Sequence, residues 1–143
     1  MRGAPNATSR SCGPLLIVID ASALVELLLR SATGESVERA IGDADLVAPD
    51  VVNPEVVQTL RGLQRAGKLT GTRASRAIAR LAESGISRVP TTMLLPDMWS
   101  LRANLSAYDA CYVALARALN CALLTSDQPL TRAPGLGVTL ISV

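Results

Sequence analysis

Five consecutive apolar, β-rich residues, Leu15-Leu16-Ile17-Val18-Ile19, run straight into Asp20-Ala21-Ser22. A strand that is apolar at every position has no face for water, so it must be covered on both sides, as in a parallel sheet flanked by helices. The rest of the chain repeats the pattern. Short apolar runs at residues 46–48, 86–89, 122–125 and 138–142 alternate with helical periodicity at 22–30, 35–41, 53–67, 72–84, 92–102 and 106–119. This alternation predicts an α/β fold with a central, mostly parallel sheet. Asn53 is the expected cap of the third helix with Pro54 at its first position. Pro96 should interrupt or delay the helix in which it falls.

Four acids sit where a strand ends or a helix begins: Asp20, Glu55 in Asn53-Pro54-Glu55, Asp109 in Tyr108-Asp109-Ala110, and Asp127 after Leu123-Leu124-Thr125-Ser126. Each has a purely structural reading. Asp20 and Ser22 suit the start of a helix, Asp109 completes a capping box with Ser106, Glu55 complements a helix dipole, and Asp127 suits a turn before Gln128-Pro129. Taken together they mean more, because a parallel sheet brings strand carboxyl ends and the following helix starts to one edge. Carboxylates gathered there repel one another and raise one another's pKa unless a cation intervenes. Hard oxygen donors of this kind suit Mg²⁺ or Mn²⁺, which bridge to substrate phosphates and activate water. The chain contains no histidine. A nuclease that works through paired histidines is therefore excluded.

Composition narrows the setting. A chain of 143 residues suits one compact domain, expected over residues 15–143, with residues 1–14 as a disordered leader in which Asn6-Ala7-Thr8 is a chance sequon. Hydrophobic residues make up 49% and Phe is absent, so the core should be aliphatic and rich in Ala. Asp20 and Glu26 break the longest apolar run near the N-terminus, which leaves no membrane span. Cys12, Cys111 and Cys121 are odd in number and lack close pairing, as expected of free thiols in the cytoplasm. Net charge is only +2, yet residues 61–88 carry Arg61, Arg65, Lys68, Arg73, Arg76, Arg80 and Arg88 against Glu83 alone. Such a stretch is either a solvated helical face or, with Arg73, Arg76 and Arg80 on one side, a basic flank for a polyanion.

Several segments together resemble the PIN-domain ribonucleases, in particular the VapC-type toxins of bacterial toxin–antitoxin pairs. They are Ile19-Asp20-Ala21-Ser22-Ala23-Leu24-Val25, Ala48-Pro49-Asp50 through Glu55, the stretch from Trp99 to Ala110 that continues as Tyr112-Val113-Ala114-Leu115-Ala116, and Leu124-Thr125-Ser126-Asp127. The resemblance implies a three-layer α/β/α PIN-like domain. It further implies a Mg²⁺- or Mn²⁺-dependent endoribonuclease, RNA as substrate, neutralisation by a cognate VapB-type antitoxin, and a homodimer. Asp20, Glu55, Asp109 and Asp127 match the acidic quartet, as catalytic and metal-holding residues. Ser22, Thr125 and Asn104 are supporting residues, and Arg73, Arg76, Arg80 and Arg102 are RNA-binding candidates, with Asn104 and Arg102 both falling in the matching segment. Thr91 and Thr92 depart from relatives that often carry a histidine there.

Other classes fit less well. A haloacid-dehalogenase-type phosphatase needs a second Asp where this chain has Ser22. A phosphoacceptor receiver needs a Lys on a late strand, and the one Lys is Lys68. No Gly-rich phosphate loop follows the first strand. The competing reading from another class is a non-catalytic RNA- or protein-binding module that retains the fold.

Overall fold

The structure, a computed structural model, describes residues 15–143; the expected leader and Cys12 lie outside the described residues. The strands are β1 (Leu16–Ile19), β2 (Asp45–Pro49), β3 (Ser87–Val89), β4 (Ala122–Thr125) and β5 (Leu140–Ser142). They form one sheet in the order β3-β2-β1-β4-β5, parallel throughout. β1 pairs with β2 through Ile17 and Leu46, and with β4 through Ile19 and Leu124. The chain winds outward from β1 to β3 and then returns to the other side of β1 for β4. Strand order therefore reverses between β1 and β4, which opens a crevice at their carboxyl ends.

The helices are α1 (Ala21–Leu29), α2 (Ala32–Ile41), α3 (Val52–Arg65), α4 (Gly71–Glu83), α5 (Leu95–Ser100), α6 (Ala107–Leu119) and α7 (Gln128–Arg132). α1 packs against α2, α3 and α4, while α6 lies across β1, β2 and β4 with α5 beside it. The result is the expected three-layer α/β/α arrangement. Val18, Ile19, Leu123 and Leu124 are fully buried at the centre. Burying each such side chain is worth about 1.5–3 kcal/mol. The core is aliphatic and Ala-rich as expected, with Tyr112 its one aromatic member among the described residues.

Several expected boundaries shift, each for a local reason. Asn53 lies inside α3 rather than capping it, because Val52 already begins the helix; its side chain accepts from Arg88 Nε at 3.4 Å instead. Pro54 remains tolerable in a first turn whose amides have no partner within the helix. Ser31 caps α2 by accepting from the Gly34 amide at 2.9 Å, so that helix begins earlier than residue 35. Residues 92–94 form one 3-10 turn before α5, with Pro96 in the first turn of α5. α7, which no periodicity announced, follows Asp127 directly.

The basic stretch is partly consumed by the fold. Arg73 Nη2 donates to the Leu29 carbonyl at 3.0 Å and Arg80 Nη1 to the Leu28 carbonyl at 2.7 Å. Both answer carbonyls left over in the last turn of α1, where helical partners run out. Arg88 likewise bonds the Ile86 and Leu81 carbonyls and the Ser84 hydroxyl, tying the end of α4 to β3.

α1 and α2 meet so closely that a Cβ on Gly34 would stand 2.2 Å from the Glu26 carbonyl oxygen. That neighbour is backbone and cannot swing aside. In an open helix Ala is the more stabilising residue by roughly 0.5–1 kcal/mol; here overpacking reverses the sign. Gly34→Ala is expected to lower stability by about 1–3 kcal/mol in chemical denaturation.

Candidate active site

Asp20 ends β1 and caps α1, which places it at the floor of the crevice with only 5% of its surface exposed. Its Oδ1 accepts from the Ala23 amide at 2.9 Å and from the Ser22 hydroxyl at 2.6 Å. Its Oδ2 accepts from the Thr125 hydroxyl, which arrives from the end of β4. The capping reading of Asp20 therefore holds, and the cap leaves the residue at the crevice. Ser22 and Thr125 do more than orient Asp20. Ser22 Oγ accepts from the Ser126 amide at 3.1 Å, and Thr125 Oγ1 accepts from the Asp127 amide at 2.9 Å. These hydroxyls lace the ends of β1 and β4 together, and Asp127 is positioned by the same lacing. Asp127 starts α7, but its side chain makes no capping bond.

Glu55 projects from the first turn of α3 and Asp109 from the first turn of α6. The Asp109 amide donates to Ser106 Oγ at 3.2 Å, so the capping arrangement expected from Ser106 is present. Glu55 is held from the other side of the crevice: the hydroxyl of Tyr112, 2% exposed, donates to Glu55 Oε1 at 2.7 Å. Sequence reasoning assigned Tyr112 no role. Its position one turn after Asp109 is the signal that was available, since residues three apart share a helix face.

Electrostatics joins the four acids. Burial holds the Asp20 carboxyl above its ordinary range, against the pull of its hydrogen bonds, and the charge of Asp127 adds to the rise. Burial also raises Glu55, with Asp109 and Asp20 contributing. Asp109 is raised by burial and by Asp127, with Ser106 opposing. Burial and the neighbouring Glu55 push the Tyr112 phenol far up, so it remains a donor. Among the described residues no arginine or lysine pairs with the quartet, and the one ion pair is Arg117–Asp97, at 3.0 Å.

These residues fit a hard divalent cation in donor type and in uncompensated charge. Among the described residues no three potential ligands close into a ready-made cage. Mg²⁺ needs none, since it is usually held by one or two carboxylates, waters and substrate phosphates.

The remaining candidates stand elsewhere. Asn104 is exposed in the turn before α6, and no hydrogen bond joins its side chain to the acids. Arg102 folds back on α5, its guanidinium 4.5 Å from the Trp99 ring centroid and Nη1 donating to the Trp99 carbonyl at 2.9 Å. Arg73 and Arg80 are bound to α1 as described above. Arg76 is exposed on α4 without such a bond. The solvated-face or packing reading therefore accounts for these arginines better than a continuous basic flank. Cys111 and Cys121 are free thiols, and no helix among the described residues is long and apolar enough to cross a membrane.

A family model described as PIN domain matches residues 17–136. Ribonuclease VapC9 of Mycobacterium tuberculosis is 40% identical over 116 residues, 81% of this chain and 89% of the relative. Among solved structures, VapC20 of M. tuberculosis, described as a Sarcin-Ricin loop cleaving toxin, superposes with a TM-score of 0.60. It is 19% identical and covers 80% of this chain and 92% of its own. VapBC2 from Rickettsia felis, bound to a DNA fragment from their promoter, gives 0.63 at 12% identity, covering 90% of this chain and 98% of that one. At such identities these two structures establish a shared fold.

Raised carboxyl pKa values have a sign consequence for stability. Between the ordinary Glu range and the raised value, the unfolded chain has already lost its proton while the native state still holds it, so stability falls as pH rises through that window. Glu55→Gln removes the charge and keeps an acceptor for Tyr112. In EDTA it is expected to melt above the wild type at about pH 7–8. The two melting temperatures should converge near pH 4, where Glu is largely protonated in either state.

Proposed function

The chain belongs to the PIN domain family, and from that premise we propose that it is a metal-dependent endoribonuclease, the toxin of a toxin–antitoxin pair. The observation that carries the proposal is the set of four carboxylates at the strand-order reversal, where burial and neighbouring charge raise Asp20, Glu55 and Asp109, with no cationic side chain among the described residues paired to them. Desolvated negative charge costs folding free energy, and a binding-only module has no chemical use for it. The name of the 40%-identical relative, a ribonuclease, supports RNA as the substrate class.

Asp20, Glu55, Asp109 and Asp127 would hold Mg²⁺ or Mn²⁺. Such an ion would supply activation of water near neutral pH and charge stabilisation for an in-line displacement at phosphorus. The chain's own residues set the geometry. Ser22 and Thr125 fix the rotamer of Asp20 by donating to both of its oxygens, and Tyr112 restrains Glu55 by donating to one oxygen while leaving the other free. The missing histidines leave general acid–base work to water and carboxylates. Neutralisation by a VapB-type antitoxin is supported by fold likeness to a toxin structure determined as VapBC2. A cytoplasmic homodimer completes the reading.

Purified protein incubated with cellular RNA and Mg²⁺ or Mn²⁺ should give discrete products. EDTA should abolish them, and so should Asp20→Asn, which keeps the size and shape of the side chain while removing its charge and turning one acceptor oxygen into a donor; the expected loss is at least a hundredfold in rate, as for removal of a charge-stabilising group. Unchanged cleavage by folded Asp20→Asn protein would overturn the assignment. Absence of both cleavage and Mn²⁺ binding in the wild type would return the protein to the class of binding modules.

A further inference from the structure

Beside Glu55 lies an open cavity of about 550 Å³ lined by Val51, Pro54, Glu55, Gln58, Thr59 and Tyr108. Its walls are chemically uneven. Val51, Pro54 and the Tyr108 ring are apolar. Glu55 and the short polar side chains of Gln58 and Thr59 supply hydrogen-bonding groups. Tyr108 is 57% exposed although the chain has only three aromatic residues, and the neighbouring Tyr112 is spent inside the core. An exposed aromatic ring on a cavity wall is costly to solvate and available to stack. Among the described residues the Gln58 amide has no hydrogen-bond partner, whereas the Thr59 hydroxyl donates to the Glu55 carbonyl at 3.0 Å and retains its acceptor capacity.

We propose that this cavity is a nucleobase subsite, in which a base of the RNA strand adjoining the scissile phosphate stacks on Tyr108 and meets the Gln58 amide with its edge. The proposal rests on the nuclease reading and deepens it by naming residues that select the strand's position. Three features favour a base over other occupants. Among the described residues no Arg or Lys lines the cavity, and Glu55 is part of its wall, so a phosphate is disfavoured there. A planar, uncharged ring with exocyclic donors suits an apolar wall beside acceptor oxygens. Continuity is the third: Glu55 belongs both to the acidic quartet and to this cavity, so a strand whose phosphate sits at the acids has a base within reach of it. Tyr108 and Asp109 are adjacent in the first turn of α6, which ties the stacking surface to the acids through a rigid element. Stacking of single-stranded bases on aromatic side chains is the usual way such strands are gripped without reference to a duplex.

The test uses an RNA oligonucleotide that the wild type cuts, with 2-aminopurine introduced at successive positions and EDTA present to prevent turnover. Wild type should quench one position next to the cut. Tyr108→Phe should retain the quench and Tyr108→Ala should lose it. In Mn²⁺, Tyr108→Ala should raise KM for the unlabelled oligonucleotide roughly tenfold or more, the scale of one lost stacking contact, with Tyr108→Phe near wild type. Circular dichroism and Mn²⁺ affinity equal to wild type should accompany that rise. Equal KM and equal quenching for Tyr108→Ala and wild type, with cleavage intact, would overturn the subsite and leave the nuclease standing. Failure of the wild type to cut any RNA would remove the nuclease reading and the subsite together.

Discussion

The structure turns on a carboxylate that has been taken out of water at the seam between two strands. Asp20 is shared between the start of α1, where it answers the Ala23 amide, and the end of β4, where it takes the Thr125 hydroxyl. Its backbone amide also donates to the Leu124 carbonyl at 3.1 Å. One residue thereby ends β1, begins α1 and joins β1 to β4. Burial of an ionised group without hydrogen bonds would be prohibitive. Ser22, Thr125 and the Ala23 amide are what make it tolerable, and they hold its two oxygens in one orientation. The crevice, the spacing of Asp127 behind Thr125 and the register of Ile19 against Leu124 all depend on that arrangement.

What was legible in the sequence was whatever is encoded locally. The apolar run before Asp20, the Ser106 cap with Asp109 three residues on, and the Leu-Leu-Thr-Ser-Asp ending of β4 carry their structural meaning in a few adjacent residues, and the parallel-sheet topology then brings those ends to one edge. Pairings across long separations were not legible. Tyr112 and Glu55 are 57 residues apart, and nothing in either segment specifies the other. Arg73 and Arg80 look like a basic stripe because their spacing on α4 is visible, whereas their acceptors are carbonyls of α1, which sequence patterns do not reveal. Asn53 departs from the cap its residue type suggests for a related reason. Its residue type suits a cap, but Arg88 gives its side chain another partner and the helix starts one residue sooner.

Five arginines among the described residues are committed away from the acidic edge. Arg73 and Arg80 are turned onto α1, Arg88 onto the end of α4, Arg102 onto Trp99 and Arg117 onto Asp97 and the Leu136 carbonyl. Each of these guanidiniums has a structural partner, and none is an acid of the quartet. An arginine reaching into the crevice would have stabilised the empty fold by lowering the raised carboxyl pKa values. In the proposed nuclease it would also occupy the oxygens that a divalent ion would need. The fold therefore retains a local instability at its carboxyl edge, confined to residues anchored by hydroxyls rather than by counter-charges. Neutral donors such as Ser22, Thr125 and Tyr112 orient a carboxylate without cancelling its charge, and that is the property the proposed metal-dependent reading requires of this edge.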